Sequence, residues 1–140
     1  MKTAIYMKAN TWLDHKELSL PLPEQTKICR EYMKNHPELR KIGTYTDRNT
    51  TKNTTRELEL LLVEAENRRV ECIVTPTIKV FFDYCTESEY YINTIMKPAG
   101  IRLIGIKDDF DSSDENWSER LKAIKWQGRI RRYGKSKQKE

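Results

Sequence analysis

The sequence predicts an α/β fold in three layers, with a mostly parallel central sheet of about four to five strands and helices on both faces. Two observations carry this. Short apolar segments of strand length alternate with longer segments whose apolar residues recur at helical spacing. The repeated strand–helix–strand order joins parallel neighbours through crossovers, which places helices against the sheet. A third observation sets the scale: 140 residues suffice for one domain with a core of its own.

The elements follow in order. Residues 3–7 open as a short strand, and a polar stretch broken by Pro21 and Pro23 follows. From 24 to about 35, Ile28, Cys29, Tyr32 and Met33 make an amphipathic stripe, with Pro23 suited to the first turn. Residues 41–46 read as the second strand, and the polar, threonine-rich run 47–55 as loop. Thr54 and Glu57 have capping-box spacing at the start of a second helix, whose apolar face is Leu58, Leu61, Leu62 and Ala65. Residues 71–75 are short and mostly apolar, as in a buried parallel strand. After an irregular stretch, a third helix spans about 87–97, with Tyr91, Ile92, Ile95 and Met96 on one side and Pro98 and Gly100 ending it. Residues 101–106 form the fourth strand. An acidic loop, 108–115, leads to a last helix from about Asn116, with Trp117, Leu121 and Ile124 in register.

Composition narrows the class. Charged residues make up 34% of the chain and hydrophobic residues 37%, and no apolar run is long enough to span a bilayer. The first residues lack the apolar run of a secretory signal. Cys29, Cys72 and Cys85 are an odd count without a CxxC pair, and His15 and His36 stand apart from them. The expectation is therefore no disulfide framework, no metal, no cofactor and a cytoplasmic location. Charge is unevenly spread. Residues 120–140 hold nine Lys and Arg against the single acid Glu140, a net of +8, so the first 119 residues carry −3 of the overall +5. Lys125, Arg129, Arg131, Arg132 and Lys135 of this tail are candidate phosphate contacts, and weak, non-specific DNA binding through it is expected. A solvated terminus is the plainer alternative.

Several local phrases resemble the N-terminal catalytic domain of the serine recombinases, the resolvase/invertase family, over residues 1–112. Tyr6-Met7-Lys8-Ala9-Asn10-Thr11 stands where that family has Tyr-x-Arg-Val-Ser-Thr at the end of its first strand. Gln25 matches a Gln at the approach to the first helix, and Tyr45-Thr46-Asp47 a strand ending in Tyr-x-Asp. Cys72-Ile73-Val74 and Gly100-Ile101-Arg102-Leu103-Ile104 match the third and fourth strands. The resemblance implies a resolvase-like catalytic-domain fold. It also implies a chemistry in which a serine attacks a DNA phosphate while clustered cations stabilise the transferring group.

The same correspondence shows that chemistry degraded. The nucleophile position is Asn10, whose amide cannot attack phosphate. The preceding arginine is Lys8, which keeps the charge without the bidentate fork. The helix-opening arginine falls on Thr55, with Arg56 one place along. Two further arginines fall on Val80 and Asp83, and an aspartate there repels phosphate. Gln25 and Asp47 survive, although closing a loop or capping a helix would also explain them. Thr11 is the nearest hydroxyl to the lost serine, but strand alternation turns it away from the Asn10 side. Lys79 could replace an arginine, while Phe81 and Phe82 beside it suit packing or an interface.

The resemblance also implies a long helix and a DNA-binding domain after the catalytic domain. Residues 113–140 are expected to hold only a C-terminal helix, shortened to 117–133 and weakened by Gly128, and the basic tail. No helix-turn-helix or zinc motif is seen in them. The leading functional expectation is a catalytically inactive recombinase-like protein of a bacterial mobile element. It would act as an accessory or regulator, as a homodimer or with a recombinase partner, through Trp117, Leu121, Ile124 and Trp126 unless the first three are core. The alternative is an enzyme of altered phosphodiester chemistry using Thr11, Lys8 and Arg56, which fold alone cannot license. A decaying gene product without a selected role is the third reading.

Overall fold

The computed structural model describes residues 1–10, 20–49, 56–82 and 85–124. Its elements are β1 (Lys2–Asn10), α1 (Leu22–Lys34), β2 (Arg40–Asn49), α2 (Arg56–Glu66), β3 (Cys72–Thr75), α3 (Cys85–Tyr91), β4 (Arg102–Gly105), β5 (Phe110–Asp111) and α4 (Trp117–Ala123). A 3₁₀ turn, Ile78–Val80, follows β3, and α3 continues into a π-helical turn, Ile92–Met96. The sheet has five strands in the order β2-β1-β3-β4-β5. The first four run parallel, and β5 pairs antiparallel with β4.

Alternation along each strand sorts the core to two faces. Ala4, Tyr6, Ile73 and Leu103 point to the face covered by α2, the π-helical turn and α4, where Leu61, Ala65, Ile92, Met96 and Leu121 are buried against them. Ile5, Met7, Cys72, Val74 and Ile104 point to the other face, which α1 covers with Cys29, Tyr32 and Met33. β3 is buried along its whole length, as a central parallel strand must be. Gly100, at φ +75°, takes the left-handed position that ends the third helical segment. Gly105 permits a close approach: a Cβ there would lie 2.6 Å from Ile78 Cγ2.

The three-layer architecture is as expected, and several elements differ in detail. β1 and β2 outrun their apolar centres. Lys8–Asn10 pairs with Asp47–Asn49 as a two-strand extension beyond β3, so 47–49 is strand and not loop. The acidic run 108–115 contains β5, anchored by Phe110, which is wholly buried. The box expected between Thr54 and Glu57 involves a residue outside the described ones; among the described residues the Glu57 amide donates to Asp47. The last helix stops at Ala123: Ile124 has extended backbone, with ψ 138°, so no continuous helix spans 117–133. Leu121 is buried, and Trp117 and Ile124 pack partly buried on the same core, as the core alternative for these three expects. Phe81 and Phe82 likewise pack inward, Phe81 edge-on to Tyr6 at 5.4 Å.

Candidate functional site

In open parallel sheets, ligands bind beyond the carboxyl ends of the strands, where the strand order reverses. Here β2 lies on one side of β1 and β3 on the other, so the reversal falls between β1 and β3. β1 overshoots β3 and delivers Lys8, Ala9 and Asn10 to that crevice, with Asp47, Arg48 and Asn49 of β2 in register alongside. Arg56 comes in at the first position of α2.

Two buried polar side chains build this end of the sheet. Gln25, on the first turns of α1, acts as a surrogate strand. Its Nε2 donates to the carbonyls of Lys8 and Leu20, both at 2.8 Å, and its Oε1 accepts the Lys8 amide at 3.1 Å. It thereby fixes the end of β1 to the start of α1. Asp47 is the second. Its Oδ1 accepts the Glu57 amide at 2.8 Å, and its Oδ2 accepts the Leu58 amide at 3.2 Å and the Tyr6 hydroxyl at 2.8 Å. A carboxylate on first-turn amides satisfies donors that a helix cannot satisfy itself and complements the helix dipole. Burial, followed by the neighbouring Asp47, pushes the Tyr6 phenol far above its ordinary value, so Tyr6 stays a hydroxyl donor.

The turn after β3 is held in the same manner. Asp108 accepts the Thr77 hydroxyl, at 2.9 Å to Oδ2, and the Ile78 amide at 2.7 Å, while Thr77 Oγ1 accepts the Lys79 amide. Thr75, at the tip of β3, is buried and donates to the Thr77 carbonyl. Val80, at a position where the resemblance expects an arginine, is part of the hydrophobic core.

The structure thus gathers Lys8, Gln25 and Asp47 at one crevice, with Asn10 closing β1 beside them and Arg56 opening α2. It engages Gln25 and Asp47 in scaffold bonds. Thr11, Thr55 and Asp83 lie outside the described residues, as do Trp126 and the tail candidates Lys125, Arg129, Arg131, Arg132 and Lys135. Sequence reasoning passed over Tyr6 and Asp108 as site-building residues. Their partners Asp47 and Thr77 are 41 and 31 residues away, and no local pattern announces such bonds.

No protein-family model matches the sequence, and no curated protein does. Solved structures do. The N-terminal catalytic domain of TP901-1 integrase is 17% identical, with TM-score 0.70 over 97% of this chain and 98% of that one. A resolvase family site-specific recombinase from Streptococcus pneumoniae is 16% identical, with TM-score 0.67 over 99% and 93%. The C-terminal catalytic domain of ISC1926 TnpA, an IS607-like serine recombinase, is 15% identical, with TM-score 0.57 over 85% and 75%. The chain therefore has the resolvase-like catalytic-domain fold.

Proposed function

We propose that this chain is a serine recombinase-like domain that acts in DNA recombination without cutting DNA, as an accessory or regulatory protein of a bacterial mobile element. One observation carries the reading: β1 ends on Asn10 at the strand-order reversal, where the resemblance places the nucleophilic serine. The structural relatives named integrase, site-specific recombinase and serine recombinase supply the setting. Two features agree with a loss of chemistry. An amide cannot form a phosphoester, and Val80 offers no cation from its place in the core. Positioning and charge stabilisation supply most of the rate in phosphoryl transfer, so loss of both the nucleophile and the two downstream arginines removes catalysis at two levels. The basic tail contributes weak, sequence-independent DNA contact, and a second copy or an active recombinase is the protein partner.

The test is incubation with supercoiled plasmid. Neither nicked product nor a denaturation-resistant protein–DNA adduct should form. A reproducible adduct that disappears in Thr11→Ala would overturn the reading and establish the altered enzyme instead.

A further inference from the structure

Among the described residues, α1 is the helix that covers one face of the sheet, and it lies over β1, β3 and β4. The outer strand β2 extends past it. Between α1 and β2 a groove of about 400 Å³ remains. Its floor is apolar and comes from both layers: Ile5, Met7, Met33 and Leu39. Cys29 also lies in the floor, where burial pushes its thiol up to about 12, and Thr26 and Thr44 add uncharged polar lining. Its rim is cationic. Arg30 and Lys34 stand one turn apart on α1, and Lys41 faces them from β2.

Among the described residues, no carboxylate lines this groove and none pairs with the three rim cations. Yet the first 119 residues carry a net charge of −3. Three cations of one sign around a single concavity repel one another and focus a positive potential into it. A bound anion would relieve that repulsion. The volume lies within the roughly 300–1,000 Å³ typical of small-molecule sites. An apolar floor under a cationic rim selects a ligand with the same two halves.

We propose that the groove between α1 and β2 binds a small amphiphilic anion, its apolar body over Met7 and Met33 and its carboxylate or phosphate head between Arg30, Lys34 and Lys41. The site is on the opposite face of the sheet from α2 and its Asp47 cap, so it stands independently of the recombinase reading.

The chain has four methionines, which suits methyl-labelled methionine NMR on the full-length protein. Met7 and Met33 report on the groove, and Met96, wholly buried on the opposite face, is the internal control. The probes are octanoate, octyl phosphate, octanol and inorganic phosphate, each below its aggregation limit. At least one of the two amphiphilic anions should shift Met7 and Met33 saturably while Met96 stays in place, and the tighter of the two identifies the head group. Octanol and inorganic phosphate should each bind at least about tenfold more weakly, the worth of one charge-assisted contact. Arg30→Gln with Lys34→Gln, both exposed changes, should weaken the anion by a similar factor with the Met96 signal unmoved. The proposal is overturned if neither anion gives a saturable shift, if octanol binds as tightly, or if the double variant binds unchanged. It is equally overturned if a DNA duplex moves Met7 and Met33 where the small anions do not, which would make the groove a nucleic-acid surface.

Discussion

Asp47 is 3% exposed and carries three donors on two oxygens, so its removal leaves three polar groups to find new partners. Loss of a helix cap costs about 1 kcal/mol, and a buried hydroxyl left without its acceptor costs about 1–3 kcal/mol more. Asp47→Ala should therefore lower unfolding stability by about 2–4 kcal/mol in urea titration. A loss under about 0.5 kcal/mol, within the usual range of surface changes, would show that water replaces the carboxylate and that Asp47 is not a scaffold residue. Asn10 is the residue that the resemblance puts at the nucleophile position. Asn10→Ser restores a hydroxyl at the end of β1 and should not restore DNA cleavage. The transition-state charge would still lack its arginines, and one missing contact of that kind costs on the order of a hundredfold. Cleavage by this single variant would show that Val80 and Asp83 are not the arginine positions. At this scale the sequence was half legible. Gln25 and Asp47 could be marked as candidates from the family phrases, but what they bond to depends on Lys8, Tyr6 and the start of α2, which only the folded chain brings near.

The helices α1 and α2 were legible because each keeps an apolar stripe at helical spacing and meets one face of the sheet. Strand β5 was not, because it is two residues long and lies in an acidic run, with Phe110 as its only apolar residue. The polar ends of β1 and β2 were missed for a related reason: they pair with each other beyond the core, so backbone pairing and not apolar alternation makes them strand. What secures β5 to β4 is an ion pair. Arg102 donates through Nε to Asp111 Oδ1 at 3.0 Å and through Nη2 to Oδ2 at 2.5 Å, and Ser113 adds its amide and hydroxyl to Oδ1. Burial pushes the Asp111 carboxyl up, but the bonds from Arg102 and Ser113 outweigh it, and the net shift is downward. A carboxyl lowered in the folded state adds stability that is complete above the ordinary Asp value of about 3.9 and is lost as pH falls through its own lower value. Asp111→Asn should cost about 1–2 kcal/mol at neutral pH, a charge-assisted pair discounted for its partial exposure. The difference between wild type and variant should then close as the pH is taken below the ordinary Asp range. A difference that stays constant across that range would mean that the ionised carboxylate is not what holds β5.

Across the whole molecule, charge divides the chain into a mildly acidic body and a tail of net +8 over residues 120–140. No helix among the described residues is long and apolar enough to cross a membrane. A run of lysines and arginines has phosphate oxygens as natural counterparts. The nearest internal competitor is the acidic run 108–115, but the fold already occupies much of it. Asp108 caps the turn after β3, Asp111 pairs with Arg102, and Asp109 meets Arg120. Asp114 and Glu115 are the remaining exposed acids of that run, too few to balance the other eight cations. The tail should therefore bind nucleic acid weakly and without sequence preference. Arg129, Arg131 and Arg132 would meet phosphate oxygens, and Tyr133 would be able to stack on an exposed base. Affinity near physiological salt should be on the order of 10⁻⁴–10⁻⁶ M and should fall steeply as salt rises, because each neutralised phosphate releases condensed counterions. Fluorescence anisotropy with a labelled random duplex at several salt concentrations measures this directly. A chain truncated after Gln127 should lose most of the binding and most of its salt dependence. If the truncated chain binds as well as the full one, the contact lies on the body. If neither binds at low salt, DNA contact drops out of the proposed function, and partnership with another protein is the remaining route by which this domain acts in recombination.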